Sequence, residues 1–133
     1  MEKLRIGHTR EISEAARIKT IESSARTIGR AVFFSILKAG SHIPPHTGVT
    51  NVRSVVHLPL IVPDECQFRV GGEARNWVPG EAFAFDDTIE HEAWNRSQRD
   101  RAVLIVDVWN PHLSDHERAM VCRLYEAADV QRS

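Results

Sequence analysis

Apolar and polar positions alternate with period two through most of the middle of the chain. "AVFFSILKAG", residues 31–40, reads as a β-type run closed by a turn at Gly40. Val32, Phe34 and Ile36 would share one face, and Phe33, Ser35 and Leu37 the other. "NVRSVVHLPLIV", 51–62, closes at Pro63-Asp64, and "CQFRV", 66–70, runs into Gly71-Gly72, a hairpin signal. "ARNWV" stops at Pro79-Gly80. "EAFAFDD", 81–87, "HEAWN", 91–95, and "RAVLIVDVWN", 101–110, complete the series. Short strands at such regular spacing predict a mainly β sandwich or barrel.

The two ends break this rhythm. In "EISEAARIKTIESSAR", 11–26, Ile12, Ala15, Ala16, Ile18 and Ile21 form a rough apolar stripe that predicts a helix. "SDHERAMVCRLYEAAD" opens on Ser114 with Glu117 three residues on, a capping-box pattern. Met120, Val121, Leu124 and Ala128 then fall at helical spacing, predicting a C-terminal helix. No repeat, linker or low-complexity segment interrupts the chain, so residues 1–133 are expected to form one domain.

Composition narrows the classes. A formal net charge of −1 over 133 residues gives no long-range pull toward nucleic acid. Arg96, Arg99 and Arg101 are the tightest basic group, and spacing alone reads them as a solvated loop. Cys66 and Cys122 have no metal-type spacing. The N-terminus is charged without an apolar core, and no stretch nears the length of a membrane span. The expectation is a cytoplasmic protein with reduced thiols and neither a membrane nor a nucleic-acid partner.

Histidine is where chemistry enters. "HIPPHTGVTNVRSVVHLPL" holds His42, His46 and His57, and His91 opens a later β run. His8, His112 and His116 lie in polar contexts and read as surface residues, and His42 as a rim residue. Two neutral imidazoles from separate strands can bind a first-row metal when they face one another. For His46 and His91 the spacing leaves both a metal pair and a chance pair open. A facial triad would put a carboxylate two residues after the first histidine, but that position is Gly48. The glycine leaves its coordination position to water or an exogenous anion.

The longer stretches resemble a known family. "PHTGVTNVR", "FDDTIEHEAWN" and "VLIVDVWNP" resemble the aspartyl/asparaginyl β-hydroxylases, and the likeness runs from about Phe33 to Pro111. That resemblance implies a double-stranded β-helix, a jelly-roll of cupin type, using Fe(II), 2-oxoglutarate and O₂. It implies His46 and His91 as iron ligands, with glycine normal at position 48. It also implies that Arg101 anchors the C5 carboxylate of 2-oxoglutarate, with Ser35 as a helper hydroxyl. A forked guanidinium suits that task, and a serine is odd in the apolar run "VFFSIL". By the same resemblance, His57 lies near the C1 end of the cosubstrate, Arg53 contacts cosubstrate or substrate, and Asp87 stands near the metal as an outer partner. On residues alone, Ser35 also reads as a small core residue and His57 as a core histidine with a backbone partner. Asp86, beside Asp87, reads equally as a turn former.

The implied reaction is hydroxylation of an unactivated C–H on an amino acid, peptide or related small metabolite, with succinate and CO₂ as co-products. One departure bears on this. The family often reads R-x-R-x-H where this chain has Arg53, Val55 and His57. The missing arginine puts an acidic substrate in doubt. Halogenation, desaturation or ring formation are the neighbouring outcomes, and a cupin-like metal-binding sensor without turnover is the alternative from another class. An open-ended barrel with flanking helices is also compatible with a homodimer.

Overall fold

The structure, a computed structural model, describes residues 16–20 and 32–131. Its strands are β1 (Ala16–Thr20), β2 (Val32–Leu37), β3 (His42–His46), β4 (Arg53–Ile61), β5 (Cys66–Val70), β6 (Glu73–Arg75), β7 (Phe83–Phe85), β8 (His91–Asn95) and β9 (Arg101–Trp109). A helix, α1 (Asp115–Val130), follows them. One sheet has the order β1-β2-β9-β4-β7 and the other β3-β8-β5-β6, and the pairings are antiparallel. This is the expected mainly β, jelly-roll architecture.

Period two explains the core. Phe33, Ser35 and Leu37 on β2, Val55 and His57 on β4, Phe68 on β5, His91 and Ala93 on β8, and Arg101 and Val103 on β9 all face inward. Leu37 and Val103 from one sheet meet Cys66, Phe68 and Ala93 from the other, with Trp77 closing the cluster. Val103 and Ile105 share the inward face with Arg101, as the alternation predicts. The charged and polar inward positions gather toward the cavity described below.

Three expectations change. The helix expected over 11–26 is a strand at Ala16–Thr20, paired with β2 from Ala16↔Leu37 to Thr20↔Phe33. "ARIKT" also alternates with period two, and the ladder along β2 outweighs a weak helical stripe. The remainder of that expected helix, 11–15 and 21–26, lies outside the described residues. Second, "HIPPH" forms β3, which its two prolines hide in the sequence. Proline is tolerated because β3 is the edge strand of its sheet and its register slips between Ile43 and His46. Third, the run "ARNWV" is a strand only to Arg75, as β6, and Trp77 leaves it to enter the core.

The turn and cap chemistry holds. Val70 pairs with Glu73 across Gly71-Gly72, where Gly71 has φ +56°. The backbone N–H of Ser114 donates to Glu117 Oε2 at 2.7 Å, and that of Glu117 to Ser114 Oγ at 3.3 Å, a closed capping box on α1. Among the described residues no helix is long and apolar enough to cross a membrane.

Candidate metal and cosubstrate site

A cavity of about 180 Å³ opens between the sheets. Ser35, His46, Arg53, His57, Asp87, His91 and Arg101 all line it, although they come from separate parts of the sequence. The fold thus brings together every residue singled out for the site. His42 does not join them; it stacks on Trp94 and pairs with Glu92 at 3.0 Å near the surface.

His46 on β3 and His91 on β8 are register partners, and their ring centroids stand 4.2 Å apart. Nδ1 of His46 meets the carbonyl of Pro44 at 2.8 Å, and Nδ1 of His91 that of Ile89, also at 2.8 Å. A carbonyl only accepts, so both Nδ1 atoms carry a proton, and in the neutral rings it is Nε2 that keeps the lone pair. Among the described residues neither Nε2 has a hydrogen-bond partner. Burial pushes His91 below the usual imidazole pKa, which favours the neutral ring a metal needs. Among the described residues no group of three or more His, Cys, Asp or Glu is set to hold a metal, so a metal held by this pair would have no third protein ligand.

Gly48 explains why there is no third. A Cβ on it would stand 2.5 Å from Asp87 Cγ and 2.7 Å from Asp87 Oδ1. Asp87 occupies the space that a side chain at 48 would take, and the Gly48 N–H is tied to the Asp87 carbonyl at 2.6 Å. Asp87 Oδ1 is buried without a partner. Its neighbour Asp86 is indeed a turn former, its Oδ1 accepting from the Thr88 N–H at 2.9 Å.

Arg101 opens β9 and is 1% exposed. It donates through Nη2 to Ser35 Oγ at 2.8 Å and lies 4.5 Å from the centroid of Trp77. Among the described residues it has no carboxylate partner, and its Nε is buried and unpartnered. Burial lowers its pKa to about 10, so it stays a cation at neutral pH. Asn95 sets the turn that leads into it, donating to the carbonyls of Leu37 at 3.0 Å and Arg99 at 2.7 Å. Nothing in the sequence singles out Asn95 for that task.

His57 has the opposite tautomer to the facing pair. Trp77 Nε1, which can only donate, meets His57 Nδ1 at 3.2 Å, so the proton of His57 sits on Nε2. Phe68, Phe83 and Phe85 surround the ring at 5.1, 5.3 and 4.9 Å. This apolar wall, then Arg101 and His91, lower its pKa to about 3. The unfolded chain therefore takes up a proton at pH 6.5 that the folded chain refuses until about 3. Stability is expected to fall as pH drops through that window, by up to about 1.4 kcal/mol per pH unit. Urea melts of wild type and His57→Gln test this. Relative to the variant, wild type should lose about 2 kcal/mol between neutral pH and pH 5; a pH-independent difference would mean the ring is not held neutral.

Arg53 bridges two carboxylates. Nη2 meets Asp87 Oδ2 at 3.3 Å, and Nη1 is bonded to Asp107 Oδ2. Burial raises the pKa of both acids, and Arg53 pulls them back down. Asp107 was not among the expected site residues. Its signal is a charge at an inward position of the otherwise apolar "VLIVDVW". Val55 also lines the cavity and stands directly opposite Asp107 in the ladder.

The family model described as Aspartyl/Asparaginyl beta-hydroxylase matches residues 7–111. This chain belongs to the aspartyl/asparaginyl beta-hydroxylase family. It is 44% identical over 86 residues to the Mus musculus aspartyl/asparaginyl beta-hydroxylase, covering 64% of this chain and 12% of that protein. It is also 44% identical over 81 residues to the ornithine lipid ester-linked acyl 2-hydroxylase of Rhizobium tropici, covering 59% and 29%. Aspartate beta-hydroxylase domain-containing protein 2 of Mus musculus matches at 36% over 117 residues, covering 82% and 34%. The chain thus spans about a third or less of the length of these relatives. Among solved structures, a cupin domain of an XRE-family transcriptional regulator from Enterobacter cloacae superposes with TM-score 0.60 at 19% identity, covering 72% of this chain and 98% of that one. A predicted oxalate decarboxylase from Thermotoga maritima gives 0.58 at 18%, covering 71% and 81%. At such identities these two establish the cupin-like fold of this beta-hydroxylase family member and nothing more.

Proposed function

We propose that this chain is an Fe(II)- and 2-oxoglutarate-dependent hydroxylase domain acting on an unactivated C–H of an amino acid, peptide or related small metabolite. The observation that carries this reading is the pairing of two unlike ends in one cavity. Two imidazoles with free Nε2 atoms face each other at one place, and a buried guanidinium without a carboxylate waits at another. A dicarboxylate that also ligates a metal answers both.

The residues fit the groups. His46 and His91 would hold iron through Nε2. Asp87 Oδ1, buried and unpartnered, would hold by hydrogen bond a water in the ligand position that Gly48 leaves open. Arg101, with Ser35 fixing one of its nitrogens, would take the far carboxylate of 2-oxoglutarate. The Nε2–H of His57 would donate to an oxygen of the same molecule. Bound there, iron and 2-oxoglutarate supply the oxygen activation, with succinate and CO₂ as co-products. The chain's own part is to orient these groups and to exclude water, for which Phe68, Phe85 and Trp77 form an aromatic wall. The beta-hydroxylase relatives, one of them an acyl 2-hydroxylase, support hydroxylation as the outcome.

Anaerobic titration with Fe(II) and then 2-oxoglutarate tests the reading. A visible charge-transfer band is expected with wild type, and His46→Ala should lose it. Iron bound with no band would overturn cosubstrate chelation and leave a metal-binding module.

A further inference from the structure

Trp77 is a wall shared by two cavities. One is the cavity of about 180 Å³ that gathers the proposed metal and cosubstrate residues. The other, of about 570 Å³, is lined by the loops after β4 and β6, with Cys66, Gln67 and Arg96 beside them. Among the described residues, Trp77 alone lines both. It is 3% exposed, whereas its neighbour Val78 is 46% exposed. The turn that carries it is tied down. The Gly80 N–H donates to the Pro59 carbonyl on β4 at 2.9 Å, and the Glu81 N–H to the Val78 carbonyl at 3.0 Å. Gly80 itself has φ +82°, which calls for glycine. The indole covers the guanidinium of Arg101, with Cζ 4.5 Å from the ring centroid, and its Nε1–H donates to His57 Nδ1. Phe68 packs against it at 5.4 Å. Arg101 is thereby fixed on two sides, by Ser35 at one nitrogen and by the indole on its face.

We infer that Trp77 is the end wall of the cosubstrate site and limits the length of the 2-oxo diacid that Arg101 receives. The inference rests on the oxygenase reading above. One end of the acid is held at the metal and the other at Arg101, so the fold sets the span between them. A diacid one methylene longer must buckle or press Arg101 into the indole, and an overpacked site of this kind is unfavourable. A smaller side chain at 77 would join the two cavities and give the arginine and the longer chain room.

The test compares 2-oxoglutarate with 2-oxoadipate, which has one more methylene, in anaerobic titrations of the Fe(II)-loaded full chain. The concentration that half-develops the visible band is read for each acid. In wild type it should be at least about tenfold lower for 2-oxoglutarate, the lower end of what one misplaced methylene is worth in a fitted pocket. In Trp77→Leu the ratio should close to about threefold or less, or reverse, because the pocket no longer fits one length. Losing the Nε1–H bond to His57 weakens both acids alike and drops out of the ratio, so a merely structural role for Trp77 would leave the ratio as it is in wild type. Trp77→Phe removes less of the wall and should narrow the ratio part-way; it takes the place of Trp77→Leu if that variant does not fold. Wild type that takes both acids equally well, or folded variants that keep the wild-type ratio, overturn the inference. Wild type that binds iron and gives no band with 2-oxoglutarate is a different failure, that of the oxygenase reading itself.

Discussion

Gly48→Asp, which writes a third ligand, a carboxylate, into the sequence beside His46 and His91, is expected to weaken metal binding. On paper the change completes a facial triad of two histidines and an acid. In the fold the new side chain has nowhere to go. A Cβ at 48 would stand 2.5 Å from Asp87 Cγ, far inside van der Waals contact. The backbone cannot retreat freely, because the Gly48 N–H is bonded to the Asp87 carbonyl at 2.6 Å. Asp87 is itself held by Arg53. The aspartate must either displace that carboxylate or stay out of the site, and a second acid beside the first adds repulsion. We expect Co(II) or Fe(II) affinity to fall about 10–100-fold and urea stability by about 1–3 kcal/mol. Gly48→Asp combined with Asp87→Gly vacates the space and should recover much of both losses. A single variant that binds metal more tightly than wild type would show that Asp87 does not fill that position.

Much of this site was legible because strands have period two. Once Arg101, Val103 and Ile105 are placed on one face of a strand, a cavity lined by alternate residues follows. The family motifs then single out His46, His91, Ser35, His57 and Arg101 on it, and all of them line one cavity. What escaped the sequence depends on contacts between distant strands. Asp107 looks like one polar residue in an apolar run until β4 sets Arg53 against it. The reason for Gly48 lies in Asp87, nearly forty residues later in the chain. Trp77 reads as part of a β run, yet its indole fixes the tautomer of His57 and covers Arg101. The N-terminal strand is hidden in the sequence for a related reason: "ARIKT" fits two periodicities, and only pairing along β2 decides between them. The Pro-Pro of β3 hides a strand because the cost of proline depends on whether the strand is at an edge, and position in a sheet is not written locally.

Arg101→Met is expected to make the ligand-free protein more stable and nearly unable to bind 2-oxoglutarate. The arginine is 1% exposed, with a hydroxyl and an indole face as neighbours and, among the described residues, no carboxylate. Burial brings its pKa down to about 10, well below the usual guanidinium range. Because the folded value lies below the unfolded one, holding the charge in the fold is unfavourable at every pH below about 10, by about 3 kcal/mol. Methionine fills much of the same space without that charge, at the loss of the bond to Ser35 Oγ, so a net gain of about 1–3 kcal/mol is expected. A buried ion without its counterion is the signature of a site awaiting one. On the proposed function, a bound carboxylate would supply what the fold withholds, and a charge-assisted, two-pronged contact of this kind would account for about 2–3 kcal/mol of binding or more. The concentration of 2-oxoglutarate that half-develops the visible band should therefore rise about 100-fold or beyond in Arg101→Met. Iron binding at His46 and His91 should change little, since neither imidazole hydrogen-bonds to Arg101. Arg101→Lys should fall between the two, keeping the charge and losing the fork. Urea melts without ligand and anaerobic titrations with it separate the two effects. Stability and cosubstrate affinity falling together in Arg101→Met would make Arg101 a structural cation with a partner of its own, and the carboxylate anchor would have to be sought elsewhere in the cavity.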